Sequence, residues 1–209
     1  MFAAGRAFEQ IRNTVGYPHL NVKVAATHAG LSVGEDGASH QCCEDIALMR
    51  TIPGMVILSP ADDVEARAAV IAAYNYEGPV YLRFSRLPSP VFHNPDNYEF
   101  HIGKGEKLTD GFDAAIIATG LMTAEALRAA VLAKRQGISV RVINMPTIKP
   151  LDEEIVLTAA RECHNIITVE EHSIIGGLGE QHLDVVKAKL KNKFGVEIGL
   201  EAPRIAYRE

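Results

Sequence analysis

The order of its elements most constrains what this 209-residue chain can fold into. Short runs rich in Val, Ile, Leu and Ala alternate with stretches of helical length. Parallel strands need crossover connections, usually helices, so this alternation favours parallel-type sheets covered by helices. The predicted strands are 20–26, 55–58, 79–84, 113–119, 138–144, 166–170 and 196–200. The predicted helices are 61–77, 121–136, 152–163 and 178–194.

Several predicted helices carry signals at their ends. Gly78 and Gly137 follow two of them and are typical of helix stops. Thr123 is a candidate N-cap, and three acidic residues (152–154) lie where the positive end of a helix dipole favours them. The stretch MPTIKPL (145–151) is predicted to be a loop.

A polar connector separates two blocks of such elements. Residues 85–99 contain Pro88, Pro90 and Pro95 and few apolar pairs, which is typical of a linker. We therefore predict an α/β protein of two three-layer α/β/α domains with mostly parallel sheets. The predicted ranges are 1–87 for the first domain, 88–110 for the linker and 111–209 for the second domain.

Composition narrows the classes of partner. The net charge is −5, and no apolar stretch reaches the length of a membrane span or follows a basic start as in a signal peptide. We expect a cytoplasmic protein with neither nucleic acid nor membrane as partner. The three cysteines (Cys42, Cys43, Cys163) form no C-x-x-C pair, so we predict reduced thiols packed as small apolar groups.

Chemistry-bearing residues concentrate in THAGLSVGEDGASHQCCED, residues 27–45, hereafter the site loop. It begins where the strand 20–26 ends, and ligands collect at the carboxyl ends of strands in open α/β sheets. His28, Asp36 and His40 are the candidate functional residues. Asp36 and His40 are four apart, so one helical turn after Gly37 would bring them together.

The site loop has three possible interpretations. A metal site needs three or four converging ligands, and the glycine-rich spacing here lacks a partner carboxylate, so we predict no metal. A polar loop with structural hydrogen bonds is an open alternative. We favour a ligand site, because imidazoles and a carboxylate suit a polyhydroxylated or phosphorylated substrate.

The run THAGLSVGEDGASHQ, followed by EDIALMRTIPGMVILSPAD, resembles the pyrimidine-binding domain of transketolases. The resemblance continues through GPVYLRFSR and into the transketolase C-terminal domain as far as VEEHSIIGGLGE, covering about 2–180. Deoxyxylulose-phosphate synthases share part of the motif but usually have a second His where this chain has Gln41. Beta subunits of 2-oxo acid dehydrogenases lack the G-E-D-G-A-S-H-Q run.

The resemblance implies a role for each matched residue. His28 would lie near the substrate phosphate, Asp36 would contact a substrate hydroxyl, and His40 would lie by the ketose carbonyl. Arg86 matches the arginine that holds the substrate phosphate, and its planar fork suits that anion. Phe2 falls where the family keeps an aromatic residue against the cofactor's pyrimidine ring, although a core aromatic would fit as well.

The implied reaction is two-carbon ketol transfer with thiamine diphosphate as cofactor. The G-D-G…N motif that binds magnesium and diphosphate, and the glutamate that activates the aminopyrimidine, have no equivalent in this sequence. The first domain is therefore expected to be truncated at its N-terminus. We expect a partner N-terminal domain or subunit, a homodimer, sugar-phosphate substrates, and no turnover by the chain alone.

The last stretch, GLGEQHLDVVKAKLKNKFGVEIGLEAPRIAYRE (177–209), resembles domain III of translation elongation factor G. This resemblance suggests a chimera joined at the shared word GLGE. The glycines at 176, 177 and 179 do not have dinucleotide-binding spacing. The histidines outside the site loop (His93, His101, His164, His172, His182) are predicted to be surface or helix-end residues rather than ligands.

Three functions follow from these observations. The leading one is the substrate side of a split or truncated transketolase. A non-catalytic α/β interaction or dimerisation module is the alternative. Ribosome binding would rest on the tail alone.

Overall fold

A computed structural model describes residues 1–173 of the chain. The strands are β1 (Lys23–Ala26), β2 (Val56–Leu58), β3 (Val80–Arg83), β4 (Glu106–Thr109), β5 (Ala114–Ala118), β6 (Val140–Asn144), β7 (Thr147–Lys149) and β8 (Ile166–Val169). The helices are α1 (Phe8–Gln10), α2 (Asp45–Arg50), α3 (Asp63–Asn75), α4 (Met122–Arg135) and α5 (Glu153–Glu162). Two π-helical segments, Phe2–Arg6 and Ile11–Gly16, flank α1.

The strands form two four-stranded sheets, β1-β3-β2-β7 and β4-β6-β5-β8. In the first sheet β1 and β2 both run parallel to β3, while β7 is antiparallel to β2. In the second sheet β6 and β8 run parallel to β5, while β4 is antiparallel to β6. The prediction of two three-layer α/β domains with mostly parallel sheets is confirmed.

Alternation along the central strands explains the first sheet's layers. One face of β2 and β3 packs against α3, and small residues on α3 let the helix approach this face closely. The strand residues are Val56, Leu58, Val80 and Leu82, and the small helix residues are Ala69 and Ala73. The intervening residues turn to the opposite face. There Ile57 and Tyr81 pack with Met49 of α2 and with Ala4 and Ile11 of the N-terminal segments.

The second sheet follows the same rule. On β5, Ile116 and Ala118 pack with Ala126 and Ala130 of α4. The alternate residue Ala115 packs with Ala159 of α5 on the other face. A helix therefore covers each face of the sheet.

The side chains of two aspartates cap the N-termini of helices. Asp62 accepts a hydrogen bond from the Glu65 amide at the start of α3, and Asp152 accepts one from the Ile155 amide at the start of α5. The Thr123 prediction was wrong, since no side chain caps α4. Thr123 lies inside the first turn, buried, and its hydroxyl donates to Asn144 Oδ1 at 3.1 Å.

The stretch 145–151, predicted as a loop, contains β7, which pairs with β2 of the first sheet. Strand β4 lies inside the predicted linker 88–110 and pairs with β6. The division of the chain at residues 87 and 111 stays a prediction. The predicted helix 178–194, strand 196–200, the GLGE word and His182 fall outside the described residues.

Within residues 1–173, every helix is too short or too polar to cross a bilayer.

Candidate functional site

The site loop lies at the carboxyl edge of the first sheet. Strands β1 and β3 are parallel neighbours, so the loop that follows β1 and the segment 84–86 that follows β3 leave the sheet side by side. Gly30 and Cys42 pair in an antiparallel bridge, with Gly30 N donating to Cys42 O at 2.9 Å. This bridge closes the base of the loop, and Asp45 at its end begins α2.

Arg86 is held by the acidic pair of the loop. Its Nη2 lies 2.7 Å from Glu35 Oε1, and its Nε lies 3.1 Å from Asp36 Oδ2. The Arg86 side chain is 30% exposed, so it remains accessible to solvent. The structure therefore brings the predicted residues Arg86 and Asp36 together, and it adds Glu35, which sequence reasoning missed.

A turn follows Gly37, where the sequence predicted one, and the approach of Asp36 to His40 stays a prediction. A 3-10 turn, Gly34–Asp36, ends at Gly37, whose φ of +76° leaves the helical region. His40 lies in the next turn, in which the His40 and Gln41 amides both donate to Gly37 O, at 3.0 and 3.3 Å.

Phe2 and His40 are also brought together. Their ring centroids are 5.0 Å apart and the rings are nearly perpendicular. The Arg6 guanidinium lies 4.7 Å from the centroid of the Phe2 ring. Phe2 is 45 % exposed, so part of its ring is free to meet another apolar group.

His28 is exposed and lies two residues beyond the end of β1. It has a positive φ of 62°, an unusual backbone conformation for a residue with a Cβ. Its Nδ1 lies 2.9 Å from Thr27 Oγ1. His40 Nδ1 has the same kind of neighbour, Ser39 Oγ at 3.1 Å.

A buried ion pair lies beneath the loop. Arg83 Nε contacts Asp45 Oδ2 at 2.7 Å, and Tyr81 donates its hydroxyl proton to the same oxygen at 2.8 Å. Burial, followed by the Asp45 charge, raises the pKa of Tyr81, so the phenol stays protonated. Sequence reasoning missed this group, although an arginine inside the apolar run PVYLRF signals a buried partner.

One histidine prediction outside the loop was wrong, that for His93. His93 is buried: its Nε2 lies 2.9 Å from Glu106 Oε2 and its Nδ1 3.0 Å from Asp62 Oδ2, the latter an ion-pair contact without hydrogen-bond geometry. His172 is half-buried and its Nε2 accepts from the Ala47 amide at 3.3 Å.

The titratable side chains and thiols of residues 1–173 bear on which groups the site could hold. Within residues 1–173, no three His, Cys, Asp or Glu side chains converge as a metal-binding group. Cys42, Cys43 and Cys163 are free thiols, and burial raises the pKa of each. The exposed Phe2 ring beside His40 fits a flat heterocycle.

Two family profiles match consecutive parts of the chain. Residues 1–90 match the sequence profile of the transketolase pyrimidine-binding domain, and residues 103–199 match that of the transketolase C-terminal domain. The second match runs through GLGE to residue 199, so the comparisons give no support to a chimera joined at that word.

Similar proteins are also named as parts of transketolases. A "putative transketolase C-terminal section" of Methanocaldococcus jannaschii is 50% identical over 201 residues, 96% of this chain and 63% of that protein. The "6-deoxy-6-sulfo-D-fructose transketolase subunit SqwH" of a Clostridium species is 42% identical over 178 residues, 85% of this chain and 55% of that protein. The chain thus spans between about half and two thirds of these relatives.

A solved structure described as "split gene transketolase, inactive beta4 tetramer" superposes with a TM-score of 0.80 at 48% identity. The superposition covers 92% of this chain and 60% of that one. Two family profiles that together match most of the chain, and a fold shared at this identity, show that the chain belongs to the transketolase family, as part of its C-terminal section.

Proposed function

We propose that this chain is a subunit of a split transketolase that supplies the sugar-phosphate side of a two-carbon ketol-transfer site. The observation that carries the proposal is the pairing of Arg86 with Asp36 and Glu35 on the site loop. An accessible guanidinium at the carboxyl edge of a parallel sheet suits the anionic end of a substrate.

In this proposal, each residue of the site has a role in substrate binding or proton transfer that suits its side chain. Arg86 binds the substrate's anionic group, with His28 donating to the same end. Asp36 accepts a hydrogen bond from a substrate hydroxyl. His40 lies by the ketose carbonyl, where its imidazole donates a hydrogen bond or moves a proton.

The cofactor in this proposal is thiamine diphosphate, which when bound supplies the electron sink for the transferred two-carbon unit. Phe2, whose ring is nearly perpendicular to that of His40, would pack its exposed part against the pyrimidine. We assign magnesium and the diphosphate to a partner N-terminal subunit, an assignment supported by the similarity to a transketolase C-terminal section and to a split-gene transketolase. The chain alone is accordingly inactive, and a homodimer of this subunit completes the assembly.

The substrate's anionic group has two candidate chemistries. A sugar phosphate follows from the family resemblance. The Clostridium relative is named for a 6-deoxy-6-sulfo sugar, and a guanidinium holds a sulfo group by the same forked geometry. Ketoses bearing each group, assayed side by side, decide between them.

The test combines this chain with the N-terminal subunit of a split transketolase, thiamine diphosphate and magnesium. We expect two-carbon transfer from a ketose phosphate to an aldose phosphate only when both chains are present. His40→Ala is expected to lower kcat by about 10²- to 10⁴-fold, the usual range for a proton-transfer group. His101→Ala, at an exposed histidine paired with Glu99, is the control and should leave kcat unchanged.

Turnover by the isolated chain would contradict the division of labour between subunits. Absence of transfer in the mixture, with an N-terminal subunit known to be active with another partner, would favour a non-catalytic interaction module.

A further inference from the structure

We propose that Glu171 is a positioning residue for the site loop, a role that rests on the proposed function of that loop. Glu171 belongs to the second block, two residues beyond the end of β8 at the carboxyl edge of the second sheet. It is separated from the loop by well over one hundred residues of sequence, yet its side chain packs directly on it.

The first contact is at the start of the loop. Glu171 Oε1 accepts a hydrogen bond from the Ser32 amide at 2.9 Å. Gly30, at φ +82°, lies so close that a Cβ built on it would meet Glu171 Cβ at 2.5 Å. The Glu171 side chain therefore occupies the space beside Gly30 and fixes the path of residues 30–32.

The second contact runs through the backbone. The Glu171 carbonyl accepts from Arg83 Nη2 at 2.8 Å, and Arg83 is the buried partner of Asp45 at the start of α2. Glu171 thus reaches both the beginning of the loop, through Ser32, and its end, through Arg83 and Asp45.

His172 and Ser173 also contact the C-terminal end of the site loop and the start of α2. His172 Nε2 accepts from the Ala47 amide at 3.3 Å, and the Ser173 amide donates to Cys43 O at 2.7 Å. Glu171, His172 and Ser173, hereafter the clamp, bind both flanks of the loop. Asp36 and His40 lie between those flanks, so their positions depend on where the clamp holds the loop.

A misplacement of about 1 Å at a reacting centre is sufficient to reduce a rate by roughly 10²-fold. The hydrogen bonds of Glu171 go to the Ser32 amide and to Arg83 and not to a predicted substrate-contacting side chain, so its effect is expected to pass through the backbone of the loop. Its removal is expected to change substrate binding as well as turnover, whereas a residue needed only for folding would reduce the amount of active protein.

The test compares Glu171→Ala, Glu171→Gln and the matched control Glu170→Ala, which alters an exposed neighbour on the same segment. Each full-length variant is assayed with the N-terminal subunit for kcat and for the KM of the ketose phosphate. Hydrogen exchange of the amides in residues 30–47 is measured on the same proteins without substrate.

We expect Glu171→Ala to raise KM at least fivefold, to lower kcat, and to speed exchange at Ser32 at least tenfold. Glu171→Gln keeps an oxygen that accepts from Ser32, so it should stay within about twofold of wild type, as should Glu170→Ala. A fall in kcat with unchanged KM and unchanged exchange would overturn the proposal, and so would wild-type values throughout.

The two proposals fail separately. If the wild-type mixture shows no ketol transfer, the proposed function is wrong. The exchange rates then still decide the positioning role: faster exchange confined to residues 30–47 in Glu171→Ala supports it, and unchanged exchange overturns it.

Discussion

Arg86 is expected to contribute most to substrate affinity. Glu35 contacts Nη2 and Asp36 contacts Nε of its guanidinium, so a bound substrate anion competes with these two negative charges for Arg86. Loss of a charged hydrogen bond costs about 1.5–3 kcal/mol, so Arg86→Ala should raise the KM of a phosphorylated ketose roughly 10- to 100-fold in the two-subunit assay.

Glu35→Gln is the informative companion, because it should act in the opposite direction. It removes a competing charge while keeping the turn, so we expect KM to fall severalfold. A KM that rises in Glu35→Gln would mean that Glu35 aids substrate binding instead of competing with it.

The Asp45–Arg83 pair is expected to contribute strongly to stability. Asp45 and Arg83 side chains are 1% and 5% exposed, so Asp45→Asn leaves a buried guanidinium without its counter-charge. We expect a loss of about 3–5 kcal/mol in the free energy of unfolding, measured by urea denaturation. The double variant Asp45→Asn/Arg83→Met should recover part of it, and equal losses in both would show that the unpaired charge is not the cause.

Among the elements, α3 depends on the network around Glu65. Its carboxylate is buried and accepts from the Ala61 amide, the Tyr98 hydroxyl and Asn144 Nδ2. Burial raises the pKa of Glu65 in spite of these donors. Glu65→Gln replaces one accepting oxygen by an NH2 group, so at least one donor loses its partner.

We expect Glu65→Gln to lower the free energy of unfolding by about 1–3 kcal/mol in urea denaturation. Glu125→Gln on α4, which alters an exposed pair with Arg128, is the control and should cost under about 1 kcal/mol. Equal effects of the two substitutions would contradict the network's role.

The contribution of His93 to the free energy of unfolding should depend on pH, because His93 contacts the carboxylates of Asp62 and of Glu106 on β4. Burial would lower the pKa of His93, but the neighbouring Glu106 and Asp62 carboxylates outweigh it and raise the pKa from 6.5 to about 9. Because the folded-state pKa lies above the ordinary value, this contribution to stability is complete below pH 6.5 and is lost as the pH rises through about 9.

His93→Gln should therefore be less stable than wild type at pH 6, by up to about 3 kcal/mol, with a much smaller difference at pH 9.5. Urea denaturation at both pH values measures the difference, and His101→Gln, at an exposed histidine, serves as the control. A difference that does not change with pH would show that His93 does not carry the charge.

Sequence patterns predicted most elements because apolar periodicity and end signals are local. They missed β7, since three residues beside Pro146 and Pro150 show no period, and only the partner strand β2 makes TIK extended. The site loop was predicted from its own residues and its resemblance to a family. The pairing of its supports, Arg83 and Glu171, with Asp45 and Ser32 could not be predicted in that way, because the partners are 38 and 139 residues apart in sequence.

At the scale of the whole molecule, the two sheets are expected to unfold together. Strand β7 follows directly from β6 of the second sheet but pairs with β2 of the first, and Asn144 at the end of β6 donates to Glu65 on α3. The clamp adds contacts between the carboxyl edges of both sheets. Separate domains divided at residues 87 and 111 would instead unfold independently.

Val142→Ala tests this cooperativity, because Val142 is fully buried in the second sheet and its truncation costs about 1–3 kcal/mol. In one cooperative unit, the slowest-exchanging amides of β2 and β3 should then exchange faster by the same factor as those of β5 and β6. Val131→Ala, at a residue 57% exposed on α4, should leave all of these rates within about threefold. Faster exchange in the second sheet with an unchanged first sheet would mean that β7, the Glu65–Asn144 bond and the clamp do not couple them. The loop would then keep its geometry when the second sheet opens, and the positioning role of Glu171 would lose its structural basis.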